Sequence, residues 1–253
     1  MSLLALVTGA TSGFGAAICR RLVRDGHRVI ALGRRAERLA ALQAELGAAN
    51  CHTVALDVRD RAATQSFVDA LPAPFAAVDV LVNNAGLALG LEPAHEAKLD
   101  DWDDMIATNC SGLVYMTRAL LPGMVSRGRG HVINIGSTAG EFPYPGGNVY
   151  GATKAFVYQF TLNLRADLLG TPVRVTDIEP GMSGGTEFSN VRFHGDDAKA
   201  AAVYANTTTP TLSADDVADA VAYVASRPAH VNINSMQLMP VCQAFGPLAV
   251  KRA

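Results

Sequence analysis

Residues 3–23 read LLALVTGATSGFGAAICRRLV, and three kinds of local order follow one another within them. Residues 3–7 are an unbroken apolar run, the pattern of a short strand buried on both faces of a parallel sheet. Thr8-Gly9-Ala10-Thr11-Ser12-Gly13-Phe14-Gly15 comes next, and residues 16–23 are helical in character. Strand, glycine-rich turn and helix together form the context that a dinucleotide-phosphate loop requires. In that reading Gly9 permits a tight turn and Gly13 lets the backbone approach a pyrophosphate, while Gly15 allows close helix–strand packing. Thr11, Ser12 and Phe14 fill out the loop, and the helix start turns its partial positive charge toward the phosphates. The plainer alternative is a tight strand–helix turn with no ligand.

Working outward, apolar runs at 27–32, 52–56, 78–82, 131–135, 173–178 and 235–238 read as further strands. Helical stretches separate them, at 36–46, 61–71, 100–127, 149–169 and 214–225. Strands alternating with helices predict an α/β fold, a doubly wound, Rossmann-like and mostly parallel sheet of about seven strands with helices on both faces. With 253 residues, 49% of them hydrophobic, the chain is long enough for one large core, so a single domain is expected. Residues 182–209 are long for a connection and rich in Gly, Asn, Thr and charges, which suggests a partly helical lid over a binding site. Residues 239–253 are too apolar for a solvated tail and are expected to dock on the body.

The bulk numbers exclude several classes. Charged residues are 17% and the net charge is −2, with no basic patch for nucleic acid and no acidic arm. No apolar run approaches a membrane span, and no leader pattern opens the chain. Cys19, Cys51, Cys110 and Cys242 are scattered without a CxxC pair, as expected of thiols in a reducing, cytoplasmic setting. The six histidines show no metal-ligand spacing, so no metal is expected.

The end of the second strand bears on the ligand. An acid there would bind a ribose 2′-hydroxyl. The sequence instead has Gly33-Arg34-Arg35, and two guanidinium groups suit a 2′-phosphate, hence NADP. Asp57-Val58 follows the third strand, at the strand end where open sheets bind ligands. Asn83-Asn84-Ala85-Gly86 follows the fourth and fits a wall beside the adenosine half, or else an Asn-rich turn. Asn109 lies within the helical region 100–127, which carries the apolar stripe Leu113, Met116, Leu120, Met124, and a polar amide is not a favoured core choice there. That stripe and Phe156, Phe160, Leu164, Leu168 are either core or a subunit interface.

The chemistry concentrates in residues 137–154, STAGEFPYPGGNVYGATK. Tyr150 and Lys154 are four apart and share a helix face. A lysine cation there would favour the phenolate and lower the tyrosine pKa, making Tyr150 a proton donor and acceptor. Ser137 is placed to hydrogen-bond an oxygen beside it. Phe142 and Tyr144, in the loop before Tyr150, are candidate pocket walls. Arg192, in the lid, is the candidate partner of a substrate carboxylate, which needs one once water is excluded.

Thr8-Gly9-xxx-Gly13-x-Gly15, the Asn-Asn-Ala-Gly at 83–86, Asn109, Ser137 and Tyr150-xxx-Lys154 occur in an order and spacing that resembles the short-chain dehydrogenase/reductase family across essentially the whole chain. The resemblance implies an NADP-dependent oxidoreductase acting on CH–OH groups. It implies that Tyr150 is the acid/base, that Lys154 binds the nicotinamide ribose, that Ser137 steadies the substrate oxygen and that Asn109 bends a helix to hold a relay water. Pro180-Gly181 matches the family's Pro-Gly segment. Thr186 stands six residues after Pro180 where the family's carboxamide-binding threonine stands five after. Residues 33–35, 83–96, 179–197, 228–234 and 239–241 are similar to a narrower group, the NADP-dependent 3-hydroxy acid dehydrogenases, whose members are homotetramers acting on small molecules of the serine, allo-threonine and 3-hydroxypropionate type. A reductase of another carbonyl class, or an NADP-binding sensor without chemistry, stays open at this level.

Overall fold

The computed structural model describes residues 2–205 and 207–246. The strands β1 (Leu4–Thr8), β2 (Arg28–Gly33), β3 (Cys51–Ala55), β4 (Val80–Asn83), β5 (Gly130–Ile135), β6 (Val173–Pro180) and β7 (Ser235–Leu238) form one sheet. Its order is β3-β2-β1-β4-β5-β6-β7, and every pairing is parallel. The helices are α1 (Gly13–Arg24), α2 (Ala36–Leu46), α3 (Arg61–Asp69), α4 (Leu99–Ile106), α5 (Leu113–Ser126), α6 (Asn148–Asp167), α7 (Phe188–Arg192), α8 (Asp197–Ala202) and α9 (Ala214–Ala225).

Strand side chains alternate between the two faces of a sheet, and β1 shows how both faces are filled. Ala5 and Val7 join Ile18, Leu22, Leu39, Leu42, Val221 and Val224 on the side of α1, α2 and α9. Leu4 and Leu6 join Met116, Leu120, Met124 and Leu164 on the side of α5 and α6. The stripe Leu113–Met124 is therefore core, each member no more than 6% exposed, and it is not available to a partner subunit. Phe156 is different, 41% exposed and stacked on Phe160 at 5.9 Å between ring centroids.

β1 pairs with β2 on one side and β4 on the other, so the winding reverses there and opens a crevice above the ends of β1 and β4. Thr8 ties the two ends together: its hydroxyl accepts from the backbone N–H of Asn84 at 3.0 Å and Ala85 at 2.9 Å. Beneath them a buried amide ladder crosses the sheet. Asn83 donates to Asn134 and Thr117 at 2.9 Å each, and Asn134 donates to Thr161 at 2.8 Å.

The long helix expected over 100–127 is present with a defect in it. One widened π turn, Ala107–Gly112, joins α4 to α5, a device found mostly at functional positions. It brings the backbone hard against the loop after β3: a Cβ on Gly112 would lie 2.6 Å from Val58 Cγ2. The 182–209 segment is partly helical as expected, carrying α7 and α8. Of the C-terminal stretch, the described part docks through Gln243, whose Oε1 accepts from Met182 N at 2.7 Å; the remainder of 239–253 lies outside the described residues.

Candidate active site

A cleft of about 500 Å³ runs along the strand ends, from the glycine loop to the lid. Gly9, Thr11, Ser12, Gly13 and Phe14 line it, as do Arg34, Arg35, Asp57, Val58, Asn84, Ala85 and Gly86. Ser137, Tyr144, Tyr150, Lys154, Pro180, Gly181, Thr186 and Arg192 line its other half. The fold thus brings together most of the residues singled out in the sequence.

At the glycine loop, Gly9 and Gly13 hold φ of 66° and 50°, the left-handed region that glycine tolerates best. Ser12, at the head of α1, makes no side-chain cap, and no acid occupies the first turn. The helix's opening N–H groups are therefore left for an anion. Gly15 does not line the cleft. A Cβ there would lie 2.3 Å from Gly9 O, so it is a packing residue and not a ligand contact. Gly15→Ala is expected to cost about 1–3 kcal/mol by overpacking, read as a Tm lower by roughly 2–12 °C; an unchanged Tm would contradict the close approach. Asn84 faces the cleft, but its amide is spent on the loop, donating to Thr8 O at 2.8 Å.

The two arginines differ. Arg34 is exposed. Arg35 is engaged: its guanidinium donates to Thr11 Oγ1 at 2.9 Å and Ser12 Oγ at 2.9 Å and pairs with Glu187 at 2.9 Å. Asp57 is held by Arg59 at 2.7 Å, which keeps its carboxyl below the usual carboxylate range.

Tyr150 and Lys154 both lie on α6 and are 8% and 7% exposed. Lys154 Nζ donates to Ile135 O at 2.7 Å and lies 5.9 Å from the Tyr150 ring centroid. The expected lowering of the tyrosine pKa by this lysine is not what the structure gives. Burial dominates and pushes Tyr150 up to about 12; the Ser137 hydrogen bond and the Arg192 charge pull it back in part, and Tyr144 adds to the rise. Burial likewise pulls Lys154 down to about 8, against the charge of Asp177. A lysine that is itself being desolvated, at that separation, does not outweigh the loss of water around the phenol.

Asn109 sits in the π turn, and its side chain is not among those lining the cleft. Both amide N–H groups are engaged, donating to Leu87 O at 2.8 Å and Thr153 Oγ1 at 3.0 Å, and the amide oxygen accepts from Leu87 N at 2.9 Å. It stitches the loop after β4 to α6. Phe142 also lies off the cleft, packed on Phe245 with centroids 5.3 Å apart.

Over the far end, Arg192 donates to Gly90 O at 3.1 Å and to the Tyr144 hydroxyl at 2.8 Å. Its guanidinium carbon lies 5.6 Å from the ring centroids of both Tyr144 and Tyr150. Phe188 meets Tyr150 edge-on at 5.8 Å. Thr186 faces the glycine loop, 3.4 Å from where a Gly13 Cβ would be, and the preceding Gly185 holds φ at 69°.

The sequence reading missed Glu187, Phe188 and Gln243, which line the cleft, and Asp177. The last is fully buried inside β6, with neither carboxylate oxygen hydrogen-bonded among the described residues, and burial and Glu179 push its pKa up. An acid within an apolar run was the available signal. Among the described residues no group of His, Cys, Asp or Glu could hold a metal ion, and no helix is long and apolar enough to cross a membrane.

A doubly wound sheet with a glycine loop at its switch point and a buried Tyr–Lys pair at the strand ends defines a dinucleotide-dependent oxidoreductase. The chain belongs to the short chain dehydrogenase family, whose model matches residues 3–196. It is 64% identical over 251 residues to an NADP-dependent 3-hydroxy acid dehydrogenase, YdfG, of Salmonella typhi, covering 99% of this chain and 100% of the relative. It is 53% identical over 254 residues to sulfoacetaldehyde reductase 2 of Chromohalobacter salexigens, covering 100% of both. Among solved structures it superposes with a TM-score of 0.96, at 62% identity, on the closed form of a serine dehydrogenase complexed with NADP+, covering 99% of this chain and 100% of that one.

Proposed function

We propose that the protein is an NADP-dependent dehydrogenase/reductase that interconverts the hydroxyl and the carbonyl at the 3-position of a small 3-hydroxy acid. The observation that carries the substrate class is Arg192, a cation over the Tyr150 ring at 5.6 Å. Few placements suit a carboxylate a short distance from the reacting carbon better. The 3-hydroxy acid and sulfoacetaldehyde relatives are both named for anionic small molecules, which supports the same reading.

The residues present fit NADP(H). The uncapped start of α1 suits the pyrophosphate, and Arg34 and Arg35 suit the 2′-phosphate. Asp57, Val58, Asn84, Ala85 and Gly86 form the adenosine wall, and Pro180, Gly181 and Thr186 flank the nicotinamide end with Lys154. NADP(H), when bound, supplies or accepts the hydride. In reduction the Tyr150 phenol donates its proton to the substrate oxygen; in oxidation its phenolate takes the hydroxyl proton. Ser137 hydrogen-bonds that same oxygen and orients it toward Tyr150. Lys154 holds positive charge beside the proton donor, and Asn109 acts as a positioning residue that fixes α6 to the loop after β4. Phe188 and the lid over 182–209 exclude water from the reacting carbon.

We further infer one domain over residues 1–253, closed by that lid, in a cytoplasmic enzyme. Four cysteines without a disulfide suit a reducing compartment. The exposed Phe156, with Ile106 46% exposed, supports a homotetramer in which α4 and α6 meet partner subunits.

The test is reduced-nicotinamide absorbance at about 340 nm over serine, allo-threonine, 3-hydroxypropionate and 3-hydroxyisobutyrate, with sulfoacetaldehyde and neutral alcohols as comparisons. NADP+ is expected to exceed NAD+ in kcat/KM by about 10²-fold, and acids to exceed neutral alcohols. Turnover of neutral substrates alone would overturn the substrate class, and equal use of both cofactors would overturn the role of the arginines.

A further inference from the structure

Glu187 reaches from the lid into the basic corner that NADP would use. One carboxylate oxygen is 2.9 Å from Arg35 and the other 2.7 Å from Arg38. The same Arg35 guanidinium also holds Thr11 and Ser12 of the glycine loop. These two arginines keep Glu187 ionised, with its pKa below the usual carboxylate range. A 2′-phosphate recognised by Arg35 would therefore meet a negative charge already sharing that guanidinium. We propose that Glu187 is a specificity-tempering residue: it competes with the 2′-phosphate for Arg35 and so weakens and speeds the release of phosphorylated cofactor, without touching the rest of the dinucleotide. This rests on the NADP reading above.

The chemistry sets the size of the effect. Both partners are partly solvated, Arg35 with 37% and Glu187 with 42% of the side chain exposed. Exchanging one such charge is worth a modest factor, about 1.5–5-fold in affinity, and the factor shrinks as salt screens it. Glu187→Gln keeps the shape and a hydrogen-bonding oxygen while removing the charge.

Calorimetric titration at neutral pH with 2′,5′-ADP and with 5′-AMP separates the possibilities. Wild type is expected to prefer 2′,5′-ADP. Glu187→Gln is expected to bind 2′,5′-ADP about 1.5–5-fold more tightly and to release it more slowly in stopped flow, with 5′-AMP affinity unchanged. Retained 5′-AMP binding shows that the variant is folded. If wild type prefers 2′,5′-ADP but the variant binds it no more tightly, the role given to Glu187 is wrong and the NADP reading stands. If both nucleotides tighten equally, the effect is not on the 2′-phosphate and the proposal also fails. If wild type shows no preference for 2′,5′-ADP, the NADP reading falls and this proposal with it.

Discussion

Tyr150→Phe is expected to lower kcat in both directions by about 10²–10⁴-fold, the usual share of a positioned acid–base group. The substitution removes one oxygen and keeps the ring that packs edge-on against Phe188. Stability is therefore expected to change by no more than about 1 kcal/mol, and NADP(H) affinity only slightly. Turnover left intact would overturn the proposed chemistry. The wild-type pH dependence should agree. Because burial pushes Tyr150 up to about 12, the phenol is protonated throughout the neutral range and reduction has its donor ready. Oxidation needs the phenolate, whose fraction rises about tenfold per pH unit below the pKa. Oxidation should therefore climb with pH while reduction does not. Initial rates in both directions across the neutral and mildly alkaline range check this; an oxidation profile flat with pH would contradict the raised pKa.

The residues that were legible in the sequence were those fixed by local rules. A glycine-rich turn between an apolar run and a helix announces itself in a short window, and the alternation of strands and helices then dictates the sheet. Tyr150 and Lys154 are four apart on one helix, so their common face follows from the helical repeat alone. Side-chain direction was not legible. Asn109 was noticed as a polar residue among apolar ones, but its partners are Leu87 and Thr153, and only the folded chain decides which groups an amide finds. The sign of the Tyr150 shift is not carried by the sequence for a related reason. Spacing gives the proximity of two groups, whereas desolvation depends on everything packed around them. Glu187 was invisible because its partners Arg35 and Arg38 lie far away in the chain, and one acid in a polar loop carries no signal of its own. Gly15 is legible as a packing residue because the glycine spacing of a strand–turn–helix demands a close approach there, and a Cβ at that position would lie 2.3 Å from Gly9 O.

Arg192→Met is the sharpest test of substrate class. Arg192 is set by contacts from separate elements, Gly90 O at 3.1 Å and the Tyr144 hydroxyl at 2.8 Å, which hold the guanidinium over Tyr150. Methionine has a similar stem without the charge. A substrate carboxylate in the cleft would then lose its cation where water is largely excluded, and removing one partner of such a pair costs about 2–5 kcal/mol. In kcat/KM for 3-hydroxy acids this is a loss of roughly 30- to several thousand-fold. A neutral alcohol of similar size makes no such pair and would feel only the indirect effect. Arg192 is one of the influences that lower the Tyr150 pKa, so its removal lets that pKa rise further and oxidation slows modestly for every substrate. The decisive quantity is therefore the ratio of acid to neutral substrate, compared between wild type and variant. A collapse of that ratio, carried mainly by KM, is the expected result. Equal losses for both substrates would leave Arg192 as a structural brace between the lid and Tyr144, and the carboxylate would have to be held elsewhere.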